Sequence, residues 1–500
     1  MSINFDFKNL FIFDLSNNHQ GDVEHGLRII KAIAEIVKKR GVRAAIKFQF
    51  RDLDNFIHPE HRNNRENKHI QRFLSTRLQR KDFEILLAES REQGFISACT
   101  PFDERSVDEI VDMGIDLIKV ASCSAVDWPL LERITMVGKP VIISTAGMSL
   151  NNIDKLVSFM NHKNLNFALM HCVAIYPTPY NKLRLNQISL LKERFPHVMV
   201  GFSTHEEPDN YSAVKLAYAK GATIFERHVG LQTSKYSLNA YSSTPKQVDL
   251  WLAAYEEAAK SCGGENRSPG LPEELESLRS LSRGVFAKKE IKKNQKIKRE
   301  DVFFAMPLQE KQLTSGEWND WLVSDRHYEP NDLISFSLSN LEIPASQLIY
   351  QVILQVKGML NNARIFIGND SSVEISHHYG LERFREFGCV IVNCINRAYA
   401  KKLVILLPRQ KHPYHFHKIK EETFQLLYGD IEVEIEGEKT RLELGDTILV
   451  KPGQWHKFHT LDGAIFEEIS TTHLNDDSFY EDERISRIPR EKRKTIVPKL

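Results

Sequence analysis

Through the first 230 residues, short apolar runs recur at intervals, each closed by polar residues and followed by a segment of helical periodicity. The runs are FIFDLS (11–16), AAIKFQF (44–50), FISACTP (95–101), LIKVAS (117–122), PVIISTA (140–146), NFALMHC (166–172), VMVGFST (198–204) and TIFERHV (223–229). Between them lie amphipathic stretches such as HGLRIIKAIAEIVKK from His25 and VDEIVDMG from Val107. Near-continuous apolar strands separated by helices predict a parallel sheet covered on both faces. Eight such units within residues 1–270 predict an α/β fold of the closed (β/α)₈ TIM-barrel type. No GxGxxG follows the first run, which argues against an open dinucleotide-binding sheet.

The polar residues gather where the strands end: Asp14 and Ser16, Lys47 and Gln49, Thr100, Lys119 and Ser122, and Ser144. The stretch FSTHEEPDNYSAVKLAYAKGATIFERHVG (202–230) adds two spaced pairs, Ser203 with His205 and Glu226 with His228. Residues two apart in a strand share a face. The two histidines therefore end neighbouring parallel strands and can converge on one divalent ion at the catalytic face of a barrel. Two lysines and several hydroxyls beside that pair favour a phosphorylated, anionic substrate. The basic stretch between Arg51 and Arg80 reads either as a solvated loop or as a lid whose arginines meet anions.

From about Ile349 the pattern changes to dense alternation, with turns at Gly429-Asp430, Glu436-Gly437 and Gly445-Asp446, which predicts an all-β domain over 349–475. His415-x-His417-x4-Glu422-x6-Gly429, then Gly445 and Pro452-Gly453-x2-His456, resembles the two cupin motifs. His415 and His417 share a strand face, and Glu422 and His456 can join them on a divalent metal of unknown identity. His377 and His378 read as surface residues, and the charged end, 476–500, as a flexible or docking basic tail.

Composition narrows the function classes. Five hundred residues suggest about three domains. A formal charge of +1 offers no general field for nucleic acid or an anionic membrane. Six cysteines without CxxC spacing fit reduced thiols, and no run of eighteen apolar residues occurs. A soluble, cytoplasmic protein is expected, with no nucleic-acid or membrane partner.

SNNHQGD (16–22), IKFQ, TPFD, LIKVAS, IISTAGMS, LMHCVAIYPTPY, GFSTHE and FERHVG, in that order, resemble the sialic acid (nonulosonic acid) synthases over residues 10–235. The run SLSRGVFAKKEIKKNQKIKREDVFFAMP (280–307) is similar to the antifreeze-like (SAF) domain of that family, with an expected extent of 278–340. The resemblance implies condensation of phosphoenolpyruvate with an open-chain aldose, for surface-glycan biosynthesis. It implies that Lys47, Thr100, Lys119, Ser122, Ser144 and Ser203 hold phosphoenolpyruvate, and that His205 and His228 hold Mn²⁺ or Mg²⁺. Gln49 and Tyr176 match positions lining the sugar site, and a domain-swapped homodimer is expected. Asp14 replaces the family's glutamate and keeps a carboxylate for proton handling. Ser124, Ala174, Asn239 and Met306 replace family residues that read the acceptor, so an aldose other than N-acetylmannosamine is expected. Two other readings stay open: a cupin-type sugar isomerase or epimerase with a degenerate barrel, and a non-catalytic sugar-binding protein.

Overall fold

The computed structural model describes residues 5–62, 66–264, 270–320, 322–335, 344–368, 371–474 and 476–497. The chain divides into two compact units, residues 1–269 and 270–500.

In the first unit eight parallel strands close on themselves in sequence order: β1 (Leu10–Asp14), β2 (Arg43–Phe50), β3 (Ile96–Pro101), β4 (Leu117–Val120), β5 (Val141–Ser144), β6 (Phe167–Cys172), β7 (Met199–Thr204) and β8 (Ile224–His228). The barrel expectation therefore stands. Alternation along each strand sorts side chains into two cores. Outward residues such as Phe11, Ile46, Ile118, Phe202 and Phe225 meet the surrounding helices, while Ile12, Ala45, Ala98, Leu117, Ile142 and Ile224 plug the interior. One two-residue step further along, the interior turns polar: Ile12 gives way to Asp14, Ala45 to Lys47, Leu117 to Lys119, Ile142 to Ser144 and Ile224 to Glu226. Gly201 makes room in the plug. A Cβ there would sit 2.4 Å from Met170 Sδ and 2.6 Å from the Ile224 carbonyl oxygen.

The first helix, Val23–Arg40, starts on the side chain of Asp22, which accepts from the His25 amide, and stops at Gly41 in the left-handed region (φ 64°). Its last turn is tied to the last barrel helix, Pro245–Cys262. Arg40 Nε lies 2.6 Å and Lys39 Nζ 2.7 Å from the Asp249 carboxylate, an ion-pair cluster that joins the two ends of the ring of helices. After β2, the helices Leu53–Phe56 and Lys68–Ser75 stand where the basic lid was expected.

The second unit begins with the helix Pro272–Leu281 and a small β-module. Gly284–Ala287 pairs antiparallel with Val302–Ala305 around a core of Val285, Ile291, Ile297 and Tyr328. Residues 336–340, the end of the expected antifreeze-like module, lie outside the described residues.

The remainder forms an antiparallel sandwich of seven and five strands. Two expectations are corrected here. Residues 345–362 form a helix, because Val352, Val356 and Leu360 follow helical spacing and cover the outer face of the seven-stranded sheet. Residues 476–497 do not form a solvated tail. Phe479–Tyr480 joins the five-stranded sheet beside His415–Phe416, and Lys494–Val497 pairs with Ser372–Ser376 at the edge of the other. Ile485 is fully buried between these strands in the chain, so a few apolar residues dock a segment whose charges suggested solvation.

Candidate functional site

At the C-terminal ends of the barrel strands, strand register brings the predicted residues together. Asp14 of β1 pairs with Lys47 of β2 on one side and His228 of β8 on the other. Lys47 Nζ sits 3.0 Å from Asp14 Oδ2 and 3.1 Å from Glu226 Oε1. Lys119 Nζ donates to Ser144 Oγ at 2.6 Å and lies 3.7 Å from Glu226 Oε2. The Ser203 hydroxyl donates to Glu226 Oε1 at 2.9 Å. Thr100 lies on the neighbouring strand with its hydroxyl buried and unpartnered. Ser122 accepts from the Ala146 amide at 3.0 Å and sits 3.2 Å from Cys172 Sγ.

All these charged groups are buried, which fixes their electrostatics. Burial alone would depress the Lys47 ammonium, but Asp14 and Glu226 outweigh it and raise its pKa. Burial lowers Lys119, opposed by Glu226 and reinforced by the Lys47 charge. For Glu226, burial disfavours the carboxylate, yet Lys119 and Lys47 hold its pKa down. The result is two ammoniums, Lys47 and Lys119, interleaved with two carboxylates, Asp14 and Glu226, a charge-balanced buried cluster in which Lys119 has the weaker pairing.

One step above, His205 and His228 face each other with ring centroids 5.4 Å apart. Burial, then the neighbouring His228, pushes His205 down to about 3, and burial also lowers His228. Both are neutral imidazoles, the form that ligates a metal. His205 Nδ1 is engaged by the Val173 carbonyl at 3.1 Å, which turns Nε2 away from it. His228 Nε2 points at Asp14 Oδ2, 3.4 Å away, and its Nδ1 is buried without a partner. His205 and His228 offer neutral imidazole donors to a divalent cation, with the Asp14 carboxylate beside His228.

Tyr176 and Tyr241 wall the pair, with centroids 4.4 Å from His205 and 5.2 Å from His228. Gln49 donates to Asp14 Oδ2 at 3.3 Å and accepts from Arg51 at 3.1 Å. Arg51 is held between the rings of Phe73 and Phe102, 4.0 and 3.6 Å from their centroids. Beyond it opens a cavity of about 490 Å³ lined by Arg77, Arg80 and Arg105, of which Arg77 and Arg80 belong to the basic stretch and pair with Asp54 and Glu84. Ser124 is buried in a short turn, and Asn239 donates to Asn18 at 3.2 Å. Sequence reasoning missed two residues of this site. Glu226 was read only as a strand-end residue, and Tyr241 lies in a loop that carries no periodic signal.

The cupin motifs also assemble. His415, His417 and His456 place their ligand atoms within 4.8 Å of one another, which no other group of three His, Cys, Asp or Glu side chains does among the described residues. Each Nδ1 is held by a backbone carbonyl, of Pro413, Asp477 and Gln454 respectively. Every Nε2 is thereby freed for the centre. Glu422 lies 3.4 Å from His417 Nε2 and 3.3 Å from His456 Nε2. Glu422 Oε2 and His456 Nε2 are buried with no hydrogen-bond partner, and a divalent ion would satisfy both. His377 and His378, expected at the surface, are buried, and His378 donates to or accepts from the Tyr480 hydroxyl at 3.2 Å. Tyr480 belongs to the segment read as a tail, so the partner that buries His378 was hidden.

A closed (β/α)₈ barrel with a buried lysine–carboxylate cluster beneath paired imidazoles has the make-up of an enzyme active site. Comparison with known proteins places it further. The NeuB family profile matches residues 33–267 and the Cupin domain profile residues 402–467. N,N'-diacetyllegionaminic acid synthase of Campylobacter jejuni is 24% identical over 344 residues, 65% of this chain and 99% of that protein. N-acetylneuraminate-9-phosphate synthase of Drosophila melanogaster is 26% identical, covering 58% of this chain and 85% of its own length. Among solved structures, a Chromobacterium violaceum protein described as spore coat polysaccharide biosynthesis protein E superposes with TM-score 0.65. It shares 44% identity over 66% of this chain and 99% of that one. The chain carries a NeuB family domain, the sialic acid synthase type, followed by a cupin domain.

Proposed function

We propose that the chain condenses phosphoenolpyruvate with an open-chain aldose, giving a 2-keto-3-deoxy sugar acid of the nonulosonic type and phosphate. The observation that carries this reading is the buried Lys47–Glu226–Lys119 cluster one strand step below His205 and His228. The ammoniums, with the hydroxyls of Thr100, Ser144 and Ser203, suit the phosphate and carboxylate of phosphoenolpyruvate. His205 and His228 would hold Mn²⁺ or Mg²⁺, which when bound polarises the aldehyde oxygen. C3 of the enol attacks the aldehyde carbon, whose oxygen takes a proton and becomes a hydroxyl. Water adds at C2, losing one proton to Asp14, and as the C2–O bond to phosphate breaks the new C2 hydroxyl gives its proton to the departing phosphate, leaving the ketone. Lys47 and Lys119 balance the negative charge on the leaving phosphate, and the barrel fixes both reactants in reach.

The legionaminic and sialic acid synthases among the relatives support a sugar-acid product. Ser124, Ala174 and Met306 stand where acceptor-reading residues were expected, which favours an aldose other than N-acetylmannosamine, for a surface glycan. The free cysteines favour a cytoplasmic setting. Residues 278–340 are assigned to an antifreeze-like module that covers the partner's barrel in a domain-swapped homodimer.

The test is phosphate release from phosphoenolpyruvate with manganese across a panel of hexoses and hexosamines. Turnover with at least one aldose, lost in Lys119→Met and His205→Ala, is expected. A sugar isomerase or epimerase acting through the cupin, the reading favoured by its assembled imidazoles, releases no phosphate with any aldose. A sugar-binding protein gives binding without turnover that His205→Ala leaves unchanged.

A further inference from the structure

The cupin cavity holds more than metal ligands. It encloses about 280 Å³, and five lysines and arginines face four carboxylates across it. A divalent ion would leave a clear positive excess. Lys402 and Lys420 are buried and share one oxygen of Glu468, at 3.0 and 3.2 Å, and Lys420 also contacts Glu422. Arg493 lines the same cavity from the C-terminal segment, with its Nε buried and unpartnered. Ser376, Asn393 and Ser478 supply hydroxyl and amide groups to the wall. Buried cations are costly unless compensated, and an unpartnered guanidinium nitrogen in a polar cavity marks a place for an acceptor atom. Much of this wall, including Glu468, Ser478 and Arg493, lies beyond residues 402–467, the stretch that the cupin profile matches.

We propose that this cavity is a second small-molecule site, taking a divalent metal together with a polyhydroxylated 2-hydroxy or 2-keto carboxylate. Three imidazoles and one carboxylate leave a six-coordinate ion two positions, which suit adjacent oxygens on one ligand. Arg493 and Lys402 receive the carboxylate, and Ser376, Asn393 and Ser478 meet hydroxyls. An alkyl acid has no complement for the hydroxyl and amide groups of this wall, and a neutral sugar brings no negative charge to the buried Arg493 Nε. The acid proposed as the barrel's product belongs to this chemical class. That link rests on the reading above, whereas the binding itself does not.

The experiment uses the full chain with His205→Ala and His228→Ala, so that bound cobalt reports the cupin alone. Its visible absorption is followed during titration with D-gluconate, pyruvate, D-glucose and inorganic phosphate. Saturable perturbation by gluconate and pyruvate, and none by glucose or phosphate, is expected. Arg493→Gln, at a half-buried position, should weaken gluconate on the order of tenfold or more while leaving the cobalt spectrum without ligand unchanged. Lys402→Met should act the same way. The proposal is overturned if cobalt does not bind, if gluconate leaves the spectrum unaltered, or if glucose or phosphate binds as well as the acids. Phosphate release by the unmodified chain reads the barrel, so failure there and failure here are separate results.

Discussion

Lys47 of β2 reaches past β1 to Glu226 of β8, Nζ to Oε1 3.1 Å, with both side chains buried. Glu226 thus stands between two ammoniums that would otherwise repel each other in a low-dielectric interior.

Glu226→Gln should therefore destabilise the barrel by about 3–5 kcal/mol, the usual cost of leaving a buried charge unpaired. An anion that enters between Lys47 and Lys119 replaces part of what was lost. Added phosphoenolpyruvate should raise the melting temperature of the variant more than that of the unmodified protein. Equal shifts in thermal denaturation would show that the ligand does not sit on the lysines.

The metal site proposed for the barrel and the candidate site of the cupin draw on separate donors. A His205→Ala, His228→Ala chain should lose one class of bound divalent metal and keep the other, and His415→Ala with His456→Ala should do the reverse. Metal content after dialysis, measured by elemental analysis, checks the assignment. Loss of both classes in either variant would contradict it.

Asp477 is buried and accepts from the amides of Lys418 and Lys420, at 2.8 Å each, and of Ile419 between them. That turn joins His417 to Glu422. Asp477→Ala should cost the cupin about 2–3 kcal/mol, in the range of charge-assisted hydrogen bonds, and weaken its metal affinity about 10–100-fold. Competition with a chelator measures the second effect, and chemical denaturation the first.

Barrel closure carries a pH signature. Hydrogen bonds from Arg40 and Lys39 hold the Asp249 carboxyl below its ordinary value of 3.8. A depressed carboxylate contributes stability that is present above the unfolded value and is lost as pH falls through the folded one. Asp249→Asn should lower the urea midpoint of the barrel at neutral pH, and the gap should close as pH drops below about 3.8. An Asp249→Asn deficit that persists unchanged at low pH would rule out this ion pair as its source.

The barrel was legible because parallel strands are buried on both faces and each ends in a polar side chain two residues beyond an apolar one. Spacing along a strand shows which residues share a face, as for Glu226 and His228. It does not show which side chains meet across a closed cylinder, so the grip of Glu226 on both lysines emerged only from strand register. The helix 345–362 was hidden because VILQVKGML reads equally as alternation or as helical spacing. In the cupin, the four ligands follow a compact motif. Lys402 and Glu468 are single charges on half-buried strands and Lys420 is one in a turn, a pattern that resembles a solvated face until the strands pair. The segment 476–497 was misread for a related reason: charge density outweighed Ile485 and the TIV run at 495–497.

That segment also sets an order of events during synthesis. Tyr480 and the strand Lys494–Val497 supply the last pieces of a cavity whose other wall starts at Glu374. A ribosome releases the whole first unit more than two hundred residues before it delivers them. The barrel can thus fold co-translationally, while the cupin stays an open cup, its three imidazoles not yet enclosed, until residue 497 has emerged.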